Sequence, residues 1–192
     1  MRRVVLIMSM SIDGFVVGPH GHAGGLSEPE ELKRWKLDRI RRAGTHIMGR
    51  VTYEQMAAAW PTSTDDYAGP MNEIPKVVFS KTLDEATWAG TSIARGKLAD
   101  EIATLRDQPG GEIIAWGGAE FAQSLSRAGL IDEYVLVIKP VAYGGGLSIF
   151  RDLPDALQLD LIEVREFDSG VVLHRYEPAS EGSALDHVTA SA

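Results

Sequence analysis

Short apolar runs alternate with helix-like stretches from residue 4 to residue 138, and this alternation constrains the fold more than any other feature. Residues 4–8, VVLIM, form a continuous β-branched run of the kind found in strands buried on both faces. Thr45–Met48, Pro75–Ser80, Thr91–Ala94, Glu112–Trp116 and Tyr134–Ile138 repeat the pattern. Strands separated by helices imply an α/β layered domain with a largely parallel sheet. Leu159–Phe167 and Val171–Tyr176, joined across Asp168-Ser169-Gly170, read as a closing antiparallel hairpin.

The helices have their own signals. Ser27 and Glu30 have capping-box spacing, which predicts a first helix with Ser27 as N-cap. Glu28, Glu30 and Glu31 near its start and Lys36, Arg39, Arg41 and Arg42 towards its end complement the helix dipole. Leu32, Trp35 and Ile40 are the expected inward positions, with Gly44 as the stop. Six Lys/Arg lie between Lys33 and Arg42, but the chain carries a net charge of −8, so they read as a solvated helix face rather than a nucleic-acid patch. Thr52 and Gln55 predict a second capped helix ending near Trp60-Pro61, and residues 62–74 read as loop. Leu98, Ile102 and Leu105 share one helix face before Pro109, and Phe121, Ala122 and Leu125 mark another closed by Gly129.

A length of 192 residues fits one domain, here residues 1–178, and residues 179–192 are small and polar enough to be expected disordered. The chain has no cysteine, which excludes disulfide frameworks, thiolate metal sites and cysteine nucleophiles. No apolar run approaches the roughly 18 residues of a membrane helix, and Met1–Met8 lacks a signal-peptide cleavage pattern. The expectation is a cytoplasmic protein that binds neither nucleic acid nor membrane.

Chemistry concentrates where strands meet helices. Met48-Gly49-Arg50-Val51-Thr52 and Trp116-Gly117-Gly118-Ala119-Glu120 are both glycine-bearing strand-to-helix junctions. Helix N-termini present unpaired N–H groups to anions, and in a parallel sheet such junctions lie on the carboxyl edge. Arg50 adds a permanent positive charge, and Ser80-Lys81-Thr82 brings hydroxyl and ammonium donors to the same edge. Together they point to an anionic nucleotide ligand. Asp13, directly after the first strand, suits a carboxylate that orients a substrate or relays a proton, and equally an Asx turn. The glycine-rich segment 14–25 fits a ligand-contacting lid and an ordinary surface loop alike. His20 and His22 have no acidic or thiol partner nearby, so no metal site is expected, and His46 and His174 read as packed or surface-paired strand residues. G-x-G-x-x-G, the P-loop and G-x-S-x-G are all absent.

Taken in order, MSMSIDGFVVG, THIMGRVTYEQM, KVVFSKTL, IIAWGGAEFAQSL and LIDEYVLVIKPVAYGGGLSIF resemble the dihydrofolate reductase-like superfamily over residues 3–177. Within it the chain is similar to the reductase domain of riboflavin biosynthesis, the RibD C-terminal domain family. The resemblance implies a three-layer fold with about eight strands, a homodimer, and NADPH bound across the carboxyl edge. It implies that Gly49, Arg50 and Thr52 contact the cofactor phosphates and that Ser80 and Lys81 lie near the adenosine 2′-phosphate. Gly117, Gly118 and the Ala119 that follows would lie near the pyrophosphate and nicotinamide ribose, and in the family the Gly-Gly bond is often cis. The implied activity is hydride transfer to a small heterocyclic or carbonyl substrate, of pterin or ribosylaminopyrimidine type, with segment 14–25 as cover. Folate enzymes hold a carboxylate in the first helix, and none of the acids here maps onto that place, which argues against folate; Gly144-Gly145-Gly146 also fits the riboflavin-type branch. A nucleotide-binding protein that has lost turnover is the alternative.

Overall fold

The computed structural model describes residues 1–19, 21 and 27–180. Eight strands form one sheet: β1 (Val4–Ser11), β2 (Ala43–Gly49), β3 (Lys76–Phe79), β4 (Thr91–Ala94), β5 (Glu112–Trp116), β6 (Glu133–Lys139), β7 (Leu159–Glu166) and β8 (Val172–Pro178). Their order is β4-β3-β2-β5-β1-β6-β8-β7. Every neighbouring pair from β4 to β6 is parallel, and the C-terminal hairpin adds β8 and β7 antiparallel. Val4, Val5, Leu6 and Ile7 of β1 are all buried, as a central strand covered on both faces requires.

Among the described residues, five helices form the outer layers: α1 (Glu30–Ile40), α2 (Arg50–Ala59), α3 (Ala68–Glu73), α4 (Leu98–Asp107) and α5 (Ala119–Arg127). Leu32, Ile40, Tyr53 and Met71 from the first three pack with Val5 and Ile7 on one face. Ile102, Leu105, Ala122 and Leu125 from the last two pack with Val4 and Leu6 on the other. Leu125 is wholly buried, a gain of about 1.5–3 kcal/mol for a leucine side chain.

Three expectations about where helices lie are corrected. Helix α1 starts at Glu30 with Pro29 as N-cap and no side-chain cap, not with Ser27. The ring of Pro29 keeps the preceding residue extended, and Glu28 is drawn off to Lys36 Nζ (2.5 Å) and the Tyr67 hydroxyl (2.9 Å). Helix α2 starts at Arg50, two residues before Thr52, with Gly49 as N-cap. Segment 62–74, expected as loop, holds α3, and a 3₁₀ turn at Trp60–Thr62 leads into it from α2. Lys76, buried in β3, donates to the carbonyls of Met71, Asn72 and Ile74 and so caps the C-terminal end of α3.

The basic stretch of α1 is not all solvated either. Arg39 is 6% exposed and forks onto Glu112 and Glu133, both at the amino ends of their strands. Trp35 is only half-buried, whereas Leu37 joins the core. Segment 179–192 has only Ala179 and Ser180 among the described residues; its remainder, with His20, His22 and residues 23–25 of the glycine-rich segment, lies outside them.

Candidate functional site at the carboxyl edge

Because β2 and β5 are parallel neighbours, the two glycine junctions emerge side by side. The N-termini of α2 and α5 open into one cleft of about 550 Å³, lined among others by Gly49, Arg50, Thr52, Gly117, Gly118 and Ala119. That volume lies within the usual range of small-molecule sites. Val51, Phe79, Phe121, Val17 and Leu147 supply apolar walls, and the Phe79 and Phe121 rings stand 5.2 Å apart.

Side chains are absent where the backbone must come close. A Cβ on Gly117 would sit 1.8 Å from the Met8 methyl, and one on Gly118 would lie 3.1 Å from Thr52 Oγ1. Thr52, buried in the first turn of α2, donates its hydroxyl to the Gly117 carbonyl at 2.9 Å. No peptide bond among the described residues is cis, Gly117–Gly118 included. The trans form, lower in energy for a non-proline bond, makes the turn with Gly118 extended at φ −105°, ψ 146°. Arg50 is half exposed and pairs with Glu54 one turn on at 2.8 Å.

Ser80 and Lys81 follow β3, one strand outward from Gly49, and are not among the residues lining the cleft. Ser80 Oγ accepts the Thr82 and Leu83 N–H groups, and Lys81 is exposed. Asp13 is also outside the cleft lining. Its carboxylate accepts Ser11 Oγ–H (2.5 Å), Gly144 N–H (2.7 Å) and Tyr143 N–H (3.0 Å). These bonds, Ser11's foremost, hold its pKa below the ordinary carboxylate value. It therefore fastens the loop after β1 to the loop after β6.

Two features go beyond the sequence reading: a second cavity, and the bond that His46, expected as a packed or surface-paired strand residue, makes to Trp116. The cavity, of about 230 Å³, opens over β1 and β6, lined by Ser9, Glu28, Leu32, Lys36, Val137 and Lys139 among others. Burial first, then the charge of Lys36, lowers the pKa of Lys139, while Glu28 opposes them. The other is His46, wholly buried in β2, whose Nδ1 accepts the indole N–H of Trp116 at 3.0 Å. A histidine inside an apolar strand was the available signal.

Residues 2–173 match the sequence model of the RibD C-terminal domain. The chain belongs to the RibD C-terminal domain family. A relative, the uncharacterized protein YyaP of Bacillus subtilis (strain 168), is 28% identical over 176 residues, 89% of this chain and 92% of its own. A putative riboflavin biosynthesis protein from Shewanella sp. PV-4 superposes with a TM-score of 0.76 at 24% identity, covering 94% of this chain and all of the other. An Enterococcus faecalis dihydrofolate reductase, solved in complex with NADP(H), gives a TM-score of 0.63 at 16% identity, covering 93% of this chain and 97% of the other. The fold is thus dihydrofolate reductase-like, as the order of sequence motifs implied. Among the described residues, no helix is long and apolar enough to cross a membrane.

Proposed function

We propose that this RibD C-terminal family member is a cytoplasmic NADPH-dependent reductase of a small heterocyclic or carbonyl substrate. One observation carries the reading: two glycine-led helix N-termini and Arg50 face a single apolar-walled cleft on the carboxyl edge. The helix N–H groups and the guanidinium suit phosphates, the close approach at Gly117 and Gly118 suits a backbone contact, and Phe79 and Phe121 suit flat rings. NADPH, when bound, supplies the hydride. Gly49, Arg50, Thr52, Gly117, Gly118 and Ala119 hold it in this reading, and Ser80 and Lys81 flank its outer end.

The cavity over β1 and β6 takes the substrate. Met8 packs against Gly117, and its neighbour Ser9 lines that second cavity, so β1 borders both spaces. Leu32 and Val137 offer an apolar surface there, while Glu28, Lys36 and Lys139 orient polar groups. A lysine with a lowered pKa gives up a proton more readily than a solvated one. Asp13 acts in this reading as a loop latch.

The engaged carboxylate of Asp13 favours one second reading, a protein that binds the nucleotide without turnover. Fluorescence titration with NADPH and NADH, then NADPH oxidation across a panel of pterins, pyrimidines and carbonyls, separates the two. Binding without oxidation on any of them selects the second, and no dinucleotide binding removes both. Arg50→Ala is expected to weaken NADPH binding tenfold or more, because a charge-assisted hydrogen bond is worth about 1.5–3 kcal/mol. Unchanged affinity in that titration means the cradle is misplaced.

The proposed assembly is a homodimer. Leu161, Ile162 and Val164 are 56%, 47% and 54% exposed on edge strand β7. Antiparallel pairing of two β7 strands about Val164 sets Glu163 of one copy opposite Arg165 of the other, burying apolar side chains with matched charges. Light scattering is expected to give twice the 20.8 kDa chain mass, and a monomer mass removes this assembly.

A further inference from the structure

The Gly117–Gly118 turn has no side chains of its own, so neighbouring groups must set its orientation. Thr52 holds the Gly117 carbonyl at 2.9 Å. On the other side stands Trp116, the residue just before the turn, whose indole N–H ends on His46 Nδ1 at 3.0 Å with the rings 5.7 Å apart. His46 and Thr52 belong to one short stretch running from β2 into α2. That stretch therefore grips the β5–α5 junction at two points.

His46 is an unusual choice for a packing residue. It is 0% exposed, flanked in β2 by wholly buried Ile47, and it carries a ring nitrogen that the fold does not use well. Nε2 has no hydrogen-bond partner of good geometry, and the Pro70 carbonyl is the polar group on that side. An aliphatic residue would fill the space without stranding a polar atom. What an aliphatic residue lacks is an acceptor for the indole N–H.

We propose that His46 is a positioning residue: by accepting the Trp116 indole N–H it fixes the Gly117–Gly118 turn for cofactor binding. The proposal rests on the reading of that turn as a cofactor contact. The acceptor role requires the neutral ring with its proton on Nε2. The surroundings enforce neutrality. Burial, with the charge of Lys76 opposite it on β3, lowers the pKa of His46 to about 4 despite the opposing Pro70 carbonyl. Lys76 is itself fixed by three carbonyls and by the Trp88 ring 4.6 Å from its ammonium.

The experiment compares His46→Leu, which deletes the acceptor at similar volume, with His46→Asn, whose Oδ1 takes the place of Nδ1. Trp116→Phe removes the donor and keeps an aromatic ring. Each full-length variant is read by near-ultraviolet circular dichroism without ligand, by thermal unfolding, and by NADPH titration. His46→Leu and Trp116→Phe are expected to weaken NADPH binding by about tenfold, the worth of a hydrogen bond between neutral groups. His46→Asn is expected to stay within about threefold of the parent, even though a smaller side chain lowers its unfolding temperature. The Trp116 dichroism band, defined by its loss in Trp116→Phe, should change in His46→Leu and persist in His46→Asn.

Equal losses in His46→Leu and His46→Asn mean that only packing matters and overturn the proposal, as does parent-like affinity in His46→Leu. If His46→Leu fails to fold, Trp116→Phe decides: parent-like affinity there overturns it. If the parent itself binds no NADPH, the cofactor reading fails instead. The dichroism comparison then still judges whether His46 orients Trp116.

Discussion

Replacing Glu133 with glutamine is expected to lower stability by about 3–5 kcal/mol, the usual cost of breaking a buried ion pair from one side. Glu133 opens β6 and is 0% exposed. Its oxygens accept both Nη1 (2.7 Å) and Nη2 (2.8 Å) of Arg39 and Nε of Arg175 (2.7 Å), and Arg3 lies 3.4 Å away. One carboxylate thereby joins α1, β6, β8 and the residue before β1. Glutamine fills the same space, but its amide nitrogen cannot accept one arm of the Arg39 fork, and its neutral carbonyl no longer balances the Arg39 and Arg175 guanidiniums. For a chain of this size the unfolding temperature should fall by roughly 6–20 °C.

The pH dependence gives an independent check. Burial alone would raise the Glu133 pKa; Arg39 and Arg175 outweigh it and hold the group at about 2, below its ordinary 4.5. Between those values the unfolded chain binds the extra proton, so the contribution is intact above pH 4.5 and is lost as pH falls towards 2. Urea unfolding across that interval should show a shallower acid decline in Glu133→Gln than in the parent. Parallel curves and an unchanged midpoint would sink the account.

This network also marks what the sequence hides. Arg39 sits within a basic run that reads as a solvated face, and its acceptors lie 73 and 94 residues away. Only the sheet order brings β5 and β6 to flank β1 at the end where α1 finishes. Helix α3 was invisible for a local reason: six residues containing Gly69 and Pro70 are too few for a period to emerge. By contrast, β5 ends where its apolar run ends, residue for residue. A buried parallel strand needs an unbroken apolar stretch, so its limits are written locally.

The site divides along the same line. Gly49, Arg50, Thr52, Gly117, Gly118 and Ala119 converge because each follows directly from a strand end, and strand ends in a parallel sheet point one way. Ser80 and Lys81 follow a strand too, but β3 is one position further out and their segment turns on itself through Ser80 Oγ. The walls supplied by Val17 and Leu147, and the acceptor supplied by His46, are matters of tertiary approach. No spacing in the chain announces them.

That approach makes Gly146→Ala the sharpest test of how the cleft is walled. Leu147 N–H donates to the Val17 carbonyl at 2.9 Å and Val16 N–H to the Leu147 carbonyl at 2.8 Å, so the loops after β1 and β6 meet as a two-bond bridge. Asp13 ties the same two loops together from Tyr143 and Gly144. Gly146 has φ +135°, and a Cβ there would lie 2.0 Å from the Val17 carbonyl oxygen. Backbone cannot swing away as a side-chain tip can, so alanine must break the bridge as well as strain its own torsion, which alone costs on the order of 1–3 kcal/mol. NADPH affinity is expected to fall at least tenfold, while the unfolding temperature moves by only a few degrees, since of the bridge residues only the partly buried Val16 packs against a sheet-face core. Gly145→Ala is the control one residue away: its Cβ meets nothing within 4 Å and its torsion is unstrained, so binding should be unchanged. If both variants bind as the parent does, Val17 and Leu147 do not wall the cofactor. If both fail alike, chain flexibility rather than the bridge governs the cleft. Only loss at Gly146 with retention at Gly145 places the bridge at the cofactor.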